Sequence, residues 1–239
     1  MNPWVVVPTY NERDNVADLA AAILKAFPEG RGHLLFVDDN SPDGTGALID
    51  TLVAGHARIH VLHREQKEGL GRAYVAGFEK ALAEGATHII QMDCDFSHDP
   101  EDIPRFLAES ADLVIGSRYV RGGSTPGWPV KRRLISRLGG LYMRLVTGIP
   151  IHDPTGGFKC WTAEAVRKIG LQAVASRGYS FQFEMNWQAW KRGFLIKELP
   201  IAFSERRCGE SKISFAIALE SLRMVKRYRR GVTLERFTK

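Results

Sequence analysis

Short apolar runs alternate with amphipathic segments along the first half of the chain. The apolar runs, at 5–7, 33–37, 59–62, 88–92 and 113–115, predict buried β-strands. The segments between them space apolar residues as a helix does, and residues 70–82 carry Leu70, Tyr74 and Phe78 on one face. This alternation predicts an α/β fold whose doubly wound, mostly parallel sheet has helices on both faces.

The pattern is less regular after Gly116. It predicts loops at 121–129 and 153–158, helices at 131–146, 163–171 and 180–192, a strand within 194–203 and a basic helix at 213–230. Because no linker and no repeat interrupts the chain, we expect one main domain.

Composition limits the class of protein. The 239 residues are 44% hydrophobic and 25% charged, which is typical of a soluble globular domain. The N-terminus does not resemble a signal peptide, and three scattered cysteines, Cys94, Cys160 and Cys208, suggest reduced thiols in the cytosol. The net charge of +6 is carried by residues 223–239, so the body is neutral overall and nothing indicates a nucleic-acid partner.

Two acidic clusters follow predicted strands. Asp93 and Asp95 come straight after the run at 88–92, and alternate residues of an extended strand point the same way. Two convergent carboxylates suit Mg²⁺ or Mn²⁺ bound jointly by protein and a diphosphate. Asp38 and Asp39 end the second strand, and ligands of such sheets bind beyond the strands' carboxyl ends. The alternative for both clusters is ordinary turn chemistry.

The turn after the first strand argues against two common nucleotide-binding classes. It reads Pro8-Thr9-Tyr10-Asn11-Glu12, without the glycines of a dinucleotide-binding turn. No Walker loop occurs elsewhere in the chain.

Nine ordered motifs resemble one enzyme family. They are VVVPTYNERDN, FVDDNSPDGTG, GLGRAYVAGF, MDCDFSHDPEDIP, GSRYVRGG, WPVKRRLISR, DPTGGFKCW, GYSFQFEM and RRCGESK, spread over residues 5–212. Together they resemble the inverting GT-A glycosyltransferases of family 2, and among these the polyprenyl (dolichyl) phosphate mannose synthases. The resemblance implies a GT-A domain over 1–212, with a donor half at about 1–117 and an acceptor side at about 118–212. A basic amphipathic helix and tail would follow at 213–239.

The resemblance assigns donor positions residue by residue. The positions for base and ribose are Pro8, Tyr10, Glu12, Val37 and Asp39. Asp93 and Asp95 would hold the metal on the diphosphate, with Ser97 two residues further on. Cys94, where the family commonly has alanine, would bring only its backbone near the ligand.

Basic residues would serve the acceptor. A phosphomonoester is already ionised at pH 7, so its oxygen attacks without a general base, and its site needs arginine and lysine. By the resemblance, Arg118 and Arg132 fall on family positions that hold the lipid phosphate, whereas Arg206 and Lys212 fall on donor-binding positions that hold the departing diphosphate. Asp95, Arg118 and Arg132 form the expected catalytic set. The alternative for Arg132 is a solvated helix face.

Other residues permit two interpretations. Glu184 either faces the sugar or is a structural carboxylate, and Asp153 either orients a loop or contacts the sugar. Trp187 and Trp190 are expected to pack in the core.

The resemblance implies transfer of mannose from GDP-mannose to a polyprenyl phosphate, at the cytoplasmic face of a membrane. Alternatives are another donor, such as UDP-glucose, or an inactive subunit that only binds a nucleotide. The helix at 213–230 mixes apolar with basic residues and would lie on an anionic membrane, or else pack on the body. Any membrane anchor would be supplied by another subunit or by a longer natural chain.

Overall fold

A seven-stranded sheet forms the centre of the protein in our computed structural model, which describes residues 1–176, 178–205 and 228. The strands are β1 (Pro3–Thr9), β2 (His33–Asp38), β3 (Ile59–His63), β4 (His88–Gln91), β5 (Leu113–Ser117), β6 (Lys159–Thr162) and β7 (Ile196–Pro200). The helices are α1 (Arg13–Ala26), α2 (Thr45–Gly55), α3 (Leu70–Ala83), α4 (Ile103–Leu107), α5 (Val130–Thr147), α6 (Ala163–Ile169) and α7 (Ser180–Lys191).

The order of strands across the sheet is β3-β2-β1-β4-β6-β5-β7. All neighbours are parallel except β6, which runs antiparallel to β4 on one side and to β5 on the other. The carboxyl ends of β1, β2, β4 and β5 therefore share one edge with the start of β6. The predicted fold class is confirmed.

Two predicted boundaries differ from the structure, and one strand was not predicted. The helix expected from Pro100 is a 3₁₀ turn, Pro100–Asp102, followed by the short α4, and the helix expected at 163–171 ends at Ile169. Strand β6 was missed because its four residues, Lys-Cys-Trp-Thr, begin with a lysine that is wholly buried. An apolar pattern cannot identify a strand that buries its charged residue.

Apolar layers cover both faces of the sheet because alternate strand residues point to opposite sides. Val6 and Val37 face α3 and α7, while Val5 and Val7 face α1. Gly77 lets α3 close on the sheet, since a Cβ there would lie 2.4 Å from Val6 Cγ1.

A histidine pair lies at the opposite, amino-terminal edge. The rings of His33 and His60 each stack on Trp4 with centroids 4.6 Å apart, and His33 Nδ1 lies 3.0 Å from His60 Nε2. Burial lowers the pKa of both rings; Arg58 adds to the effect at His33, and His33 adds to it at His60.

We expect this pair to make the protein sensitive to mild acid. Below the ordinary histidine pKa of about 6.5, these two histidines bind protons more readily in the unfolded chain than in the folded protein. The free energy of unfolding therefore falls as pH falls. The thermal midpoint should therefore drop between pH 7.5 and 5.5, and it should drop less in His60→Gln. His56→Gln, outside the stack, serves as the control. An identical pH dependence in all three proteins would show that the pair does not contribute.

Candidate active site

The site lies where the strand register ends. Gln91 of β4 and Ile115 of β5 both pair with Lys159 of β6. Two residues further toward the same edge are Asp93, Ser117 and Gly157. Three segments therefore meet at this edge: the acidic motif, the loop before β6 and the loop that follows β5.

The first carboxylate is oriented by neighbours from other elements. The Tyr74 hydroxyl of α3 donates to Asp93 Oδ1 at 3.3 Å and to the Met92 carbonyl at 3.2 Å. Burial, and then the charge of Asp93, raises the pKa of Tyr74 well above its usual value, so the hydroxyl keeps its proton. The Asp93 amide donates to His98 Nδ1 at 3.1 Å.

The second carboxylate sits in a tight turn. Asp95 is buried, and its Oδ1 accepts the Ser97 amide at 3.0 Å. Phe96, between them, has φ 59°, a left-handed conformation that non-glycine residues adopt only where the surroundings hold them there. Ser97 therefore positions Asp95 through its main chain, and its predicted side-chain role toward a metal stays a prediction.

The donor set fits a metal that is shared with a ligand. Among residues 1–176 and 178–205 there is no group of three or more histidine, cysteine or acidic residues able to hold an ion alone. Asp93 and Asp95 provide hard oxygen ligands and leave coordination positions for a diphosphate and water, as Mg²⁺ and Mn²⁺ sites commonly do.

The loop before β6 passes beside Asp93. A Cβ placed on Gly157 would lie 3.7 Å from Asp93 Oδ2, 3.6 Å from Gln182 Nε2 and 3.4 Å from His98 Cε1. Any side chain longer than alanine would therefore occupy space next to the carboxylate. The glycine keeps that space open for a ligand.

Arg118, directly after β5, is held by a buried carboxylate. Its Nε donates to Asp153 Oδ2 at 2.7 Å and its Nη2 to Asp153 Oδ1 at 2.6 Å. Nη2 also donates to Thr155 Oγ1 at 3.0 Å, and the Arg118 amide donates to Asp153 Oδ2 at 3.0 Å. Burial would raise the pKa of Asp153, but the charge and hydrogen bonds of Arg118 lower it below its usual value. Both groups are charged at neutral pH, and Asp153 orients the guanidinium.

Arg132 and Arg118 meet around one tryptophan. The Arg132 guanidinium carbon lies 3.9 Å from the Trp128 ring centroid, and that of Arg118 lies 5.6 Å from the same ring. Arg132 Nη1 is also 3.8 Å from Glu205 Oε1. Arg132 is therefore not simply a solvated helix face. Trp128 is buried, yet its Nε1 has no hydrogen-bond partner in the part of the chain that the structure describes.

The predicted donor residues line the carboxyl ends of β1 and β2. Pro8 pairs with Val37 across these strands, and the Glu12 amide donates to Thr45 Oγ1 at 3.0 Å. Asp39 Oδ1 accepts Arg64 Nη1 at 2.6 Å. Burial raises the pKa of Asp39, and the Arg64 charge opposes that rise.

Two basic residues of this half were not predicted. Arg64 pairs with Asp39, and Lys67 Nζ lies 3.7 Å above the Tyr10 ring. Both follow β3, whose carboxyl end is at the site edge. That position was the only signal in the sequence that would have indicated them.

The remaining predicted residues separate into packing and structural roles. Glu184 accepts the amides of Ala175 at 3.1 Å and Ser176 at 2.8 Å, which makes it a structural carboxylate. Trp187 packs against Tyr228 with centroids 4.5 Å apart, and Cys94 is buried. Arg206 and Lys212 lie outside the described residues.

A buried polar network below the site was also missed. Lys159 Nζ donates to the Gln182 carbonyl at 2.9 Å and to its Oε1 at 2.8 Å. Gln91 bridges Gln182 and the Trp161 indole at 3.0 and 2.7 Å. Burial lowers the pKa of Lys159 well below its usual value. The network joins β4, β6 and α7 directly beneath Asp93 and Gly157.

Comparisons with known proteins place these features in one family. The family described as Glycosyl transferase family 2 matches residues 4–170. The polyprenol monophosphomannose synthase of Mycolicibacterium smegmatis is 46% identical over 214 residues, 88% of this chain and 80% of that protein. The undecaprenyl-phosphate mannosyltransferase of Micrococcus luteus is 44% identical over 230 residues, 95% and 94% of the two chains.

A solved structure supports the fold. Glucosyl-3-phosphoglycerate synthase from Mycobacterium tuberculosis, in complex with Mn²⁺, UDP-glucose and phosphoglyceric acid, superposes with a TM-score of 0.67 at 17% identity. The match covers 96% of this chain and 80% of that one. Among the described residues of our chain, no helix combines the length and apolar character needed to cross a membrane.

Proposed function

The chain belongs to glycosyl transferase family 2, and we propose that it transfers mannose from GDP-mannose to the phosphate of a polyprenyl (dolichyl) phosphate, with inversion at C1 and a bound Mg²⁺ or Mn²⁺. The names of the two relatives at 44% and 46% identity support the mannosyl group and the polyprenyl phosphate acceptor. GDP as the carrier follows from the motif resemblance.

The observation that carries this proposal is the position of the arginines. Arg118 and Arg132 converge on Trp128, at the sheet edge that also holds Asp93 and Asp95. An acceptor phosphate must approach an anionic diphosphate, and fixed guanidinium groups offset that repulsion. A hydroxyl acceptor would instead need a carboxylate base. Asp153 and Glu184, two buried acids that are not assigned to the metal, already accept hydrogen bonds.

Each charged residue of the site has its own role in the transfer. Asp93 and Asp95 would hold the metal, which when bound neutralises charge on the leaving diphosphate. Asp153 fixes Arg118, and Arg118 with Arg132 places the acceptor phosphate behind C1. The phosphate oxygen forms a bond to C1 as the bond from C1 to the diphosphate breaks, and the electron pair leaves with GDP. No proton needs to move.

A matrix of donors and acceptors tests the proposal. The purified protein is incubated with radiolabelled GDP-mannose, UDP-glucose or GDP-glucose, each with a short polyprenyl phosphate or the matching polyprenol. We expect label in lipid only with GDP-mannose and the phosphate. Preference for UDP-glucose would assign another donor, transfer to the alcohol would exclude the phosphate mechanism, and binding without transfer would indicate an inactive subunit.

Arg132 provides a prediction specific to the acceptor. Arg132→Lys keeps the charge but loses the planar fork and its stacking on Trp128. We expect the KM for lipid phosphate to rise about 10-fold or more, while GDP-mannose affinity stays unchanged. Arg144→Lys, on the same helix, is the matched control. Calorimetry that finds an equal loss of donor binding would move Arg132 to the donor side.

The proposed function also implies where the chain acts and how its domain is divided. The chain would act peripherally at the cytoplasmic face of a membrane, with any further anchor supplied by another subunit or by a longer natural chain. The division into a donor half at about 1–117 and an acceptor side at about 118–212 stays a prediction. The segment 213–230, predicted from the sequence as a basic helix, lies outside the described residues, except for Tyr228.

A further inference from the structure

The side-chain amide of Gln182, in α7, has a fixed orientation. Its Oε1 accepts hydrogen bonds from Lys159 Nζ at 2.8 Å and from Gln91 Nε2 at 3.0 Å. The Gln91 amide cannot be reversed, because its Oε1 accepts the Trp161 indole N–H at 2.7 Å and an indole nitrogen only donates. Gln91 therefore presents Nε2 to Gln182, which must accept with its oxygen. The Nε2 of Gln182 faces away from these partners.

The same Nε2 borders an open space at the site. A Cβ added to Gly157 would lie 3.6 Å from Gln182 Nε2 and 3.7 Å from Asp93 Oδ2, so both polar atoms border one point. Gln182 is only 3% exposed. Within the described part of the chain, every hydrogen bond of its side chain goes to Oε1. A buried amide donor is therefore directed at the space beside the predicted metal ligand.

Gly157 keeps this space open for a reason other than backbone conformation. Its φ lies outside the left-handed region that favours glycine. A methyl group there would meet its neighbours at 3.4 Å or more, which is ordinary van der Waals contact, so the fold itself would accept alanine. What alanine would remove is the room between an amide donor and a carboxylate. That room is suited to a polar group of a ligand.

The two polar atoms match a hydroxyl group. A hydroxyl both accepts and donates, so it can accept from the Gln182 amide and donate to Asp93 Oδ2, while Tyr74 donates to Oδ1. A phosphate oxygen only accepts and has the same sign of charge as Asp93, so it reaches that carboxylate through a metal. In a sugar nucleotide, the hydroxyl groups next to the diphosphate belong to the sugar that is transferred.

We propose that Gln182 is a specificity-determining residue whose Nε2 donates a hydrogen bond to one hydroxyl of the transferred sugar. This inference rests on the proposed function, because it takes the ligand to be a sugar nucleotide with its diphosphate at Asp93 and Asp95. Lys159 and Gln91 are positioning residues, since they hold the amide with its donor toward the ligand. A sugar that lacks the hydroxyl leaves the buried amide unpaired, and the site therefore rejects it.

Gln182→Glu tests the donor directly. Glutamate keeps an oxygen for Lys159 and Gln91 but replaces Nε2 with a second oxygen, which cannot donate when ionised. Calorimetry with Mn²⁺ and without acceptor gives the Kd of GDP-mannose and of analogues deoxygenated singly at C2, C3, C4 or C6. Each Kd is expressed relative to that of GDP, so that an effect of the new charge on the diphosphate cancels.

We expect one analogue to bind wild type about 10-fold more weakly than GDP-mannose does. Gln182→Glu should bind GDP-mannose as weakly as it binds that analogue, so the loss of this hydroxyl has no further effect. Glu184→Gln is the matched control on the same helix. It weakens a structural carboxylate that accepts two amides, so the thermal midpoint should fall while the relative affinities stay as in wild type.

Gly157→Ala tests the open space without changing the network. It should weaken GDP-mannose binding about 10-fold relative to GDP, because the methyl group displaces the sugar. Gly139→Ala, on α5, is the control, since nothing lies within 4 Å of its added methyl group. This pair keeps the inference testable if Gln182→Glu does not fold.

Three outcomes would decide against the inference or separate it from the proposed function. Wild-type dependence on every hydroxyl in Gln182→Glu, or unchanged GDP-mannose binding by Gly157→Ala, would overturn the inference and leave the proposed function intact. An equal loss of discrimination in Glu184→Gln would assign Gln182 a structural role only. Binding of UDP-glucose and not of GDP-mannose by wild type would overturn the proposed function, and deoxygenated UDP-glucose would then decide the inference by itself.

Discussion

Asp95→Asn should reduce turnover at least about 100-fold while leaving the protein folded, since the metal's main effect is on charge that develops in the transition state. Asp95 is buried, in a turn that the Ser97 amide holds at 3.0 Å, and asparagine can still accept that bond. The substitution therefore removes one negative charge from a site with two carboxylates without removing the turn.

Two comparisons make the result specific. Asp99→Asn changes an exposed aspartate four residues along, which accepts the Glu101 amide at 2.9 Å, and should leave turnover close to wild type. Chelation with EDTA should inactivate wild type, and added Mn²⁺ or Mg²⁺ should restore it. Near-normal turnover of Asp95→Asn in EDTA would refute a metal mechanism.

Asp153→Asn should cost about 3–5 kcal/mol of unfolding free energy, because it leaves the buried Arg118 guanidinium without its counter-charge. One asparagine oxygen cannot accept both the Nε and Nη2 bonds that now measure 2.7 and 2.6 Å. Urea unfolding gives the free energy. Glu164→Gln is the control: it removes an exposed salt bridge with Lys168 and should not change the urea midpoint of unfolding measurably.

The acid dependence follows from the lowered pKa of Asp153. Because the pKa of Asp153 is lower in the folded protein than in the unfolded chain, where it is about 3.9, its ionised carboxylate stabilises the fold at higher pH. This stabilisation is lost as pH falls through the folded-state pKa. The difference in unfolding free energy between wild type and Asp153→Asn should therefore shrink below about pH 4. An unchanged difference there would contradict the ion-pair explanation.

Thr155→Val keeps the proposed role of Arg118 testable if Asp153→Asn does not fold. It removes the 3.0 Å bond from Arg118 Nη2 and the 3.5 Å bond from Thr155 Oγ1 to Asp153 Oδ1, but it keeps the Arg118–Asp153 ion pair, so the protein should fold normally. We expect a several-fold higher KM for lipid phosphate and unchanged GDP-mannose affinity. A change confined to donor binding would assign Arg118 to the donor.

Features set by local spacing were predictable from the sequence. The strands of the first half are apolar runs, and Asp93 and Asp95 directly follow one of them, so the sequence alone places both residues beyond the carboxyl end of β4. Arg118 was recognisable because a charge directly after a buried strand lies at the sheet edge.

Features set by tertiary contact were not predictable. Asp153 and Arg118 are 35 residues apart, and nothing in either segment specifies the other. Arg64 reaches Asp39 across 25 residues, and Lys159 is buried only because α7 offers it two oxygens. Trp128 lay in a segment interpreted simply as a loop. In each case the folded sheet brings together residues that are distant in the sequence.

The most direct measurement of the central claim is the structure of the product. The purified protein is incubated with GDP-α-mannose, Mn²⁺ and a short polyprenyl phosphate, and the lipid is examined by mass spectrometry and by phosphorus and carbon–hydrogen coupled NMR. We expect one mannose per lipid, joined through a phosphodiester in the β configuration, with one GDP released per mannose transferred. A mannose in the α configuration, a glycosidic bond to a hydroxyl, or GDP release with free mannose and no lipid product would contradict it.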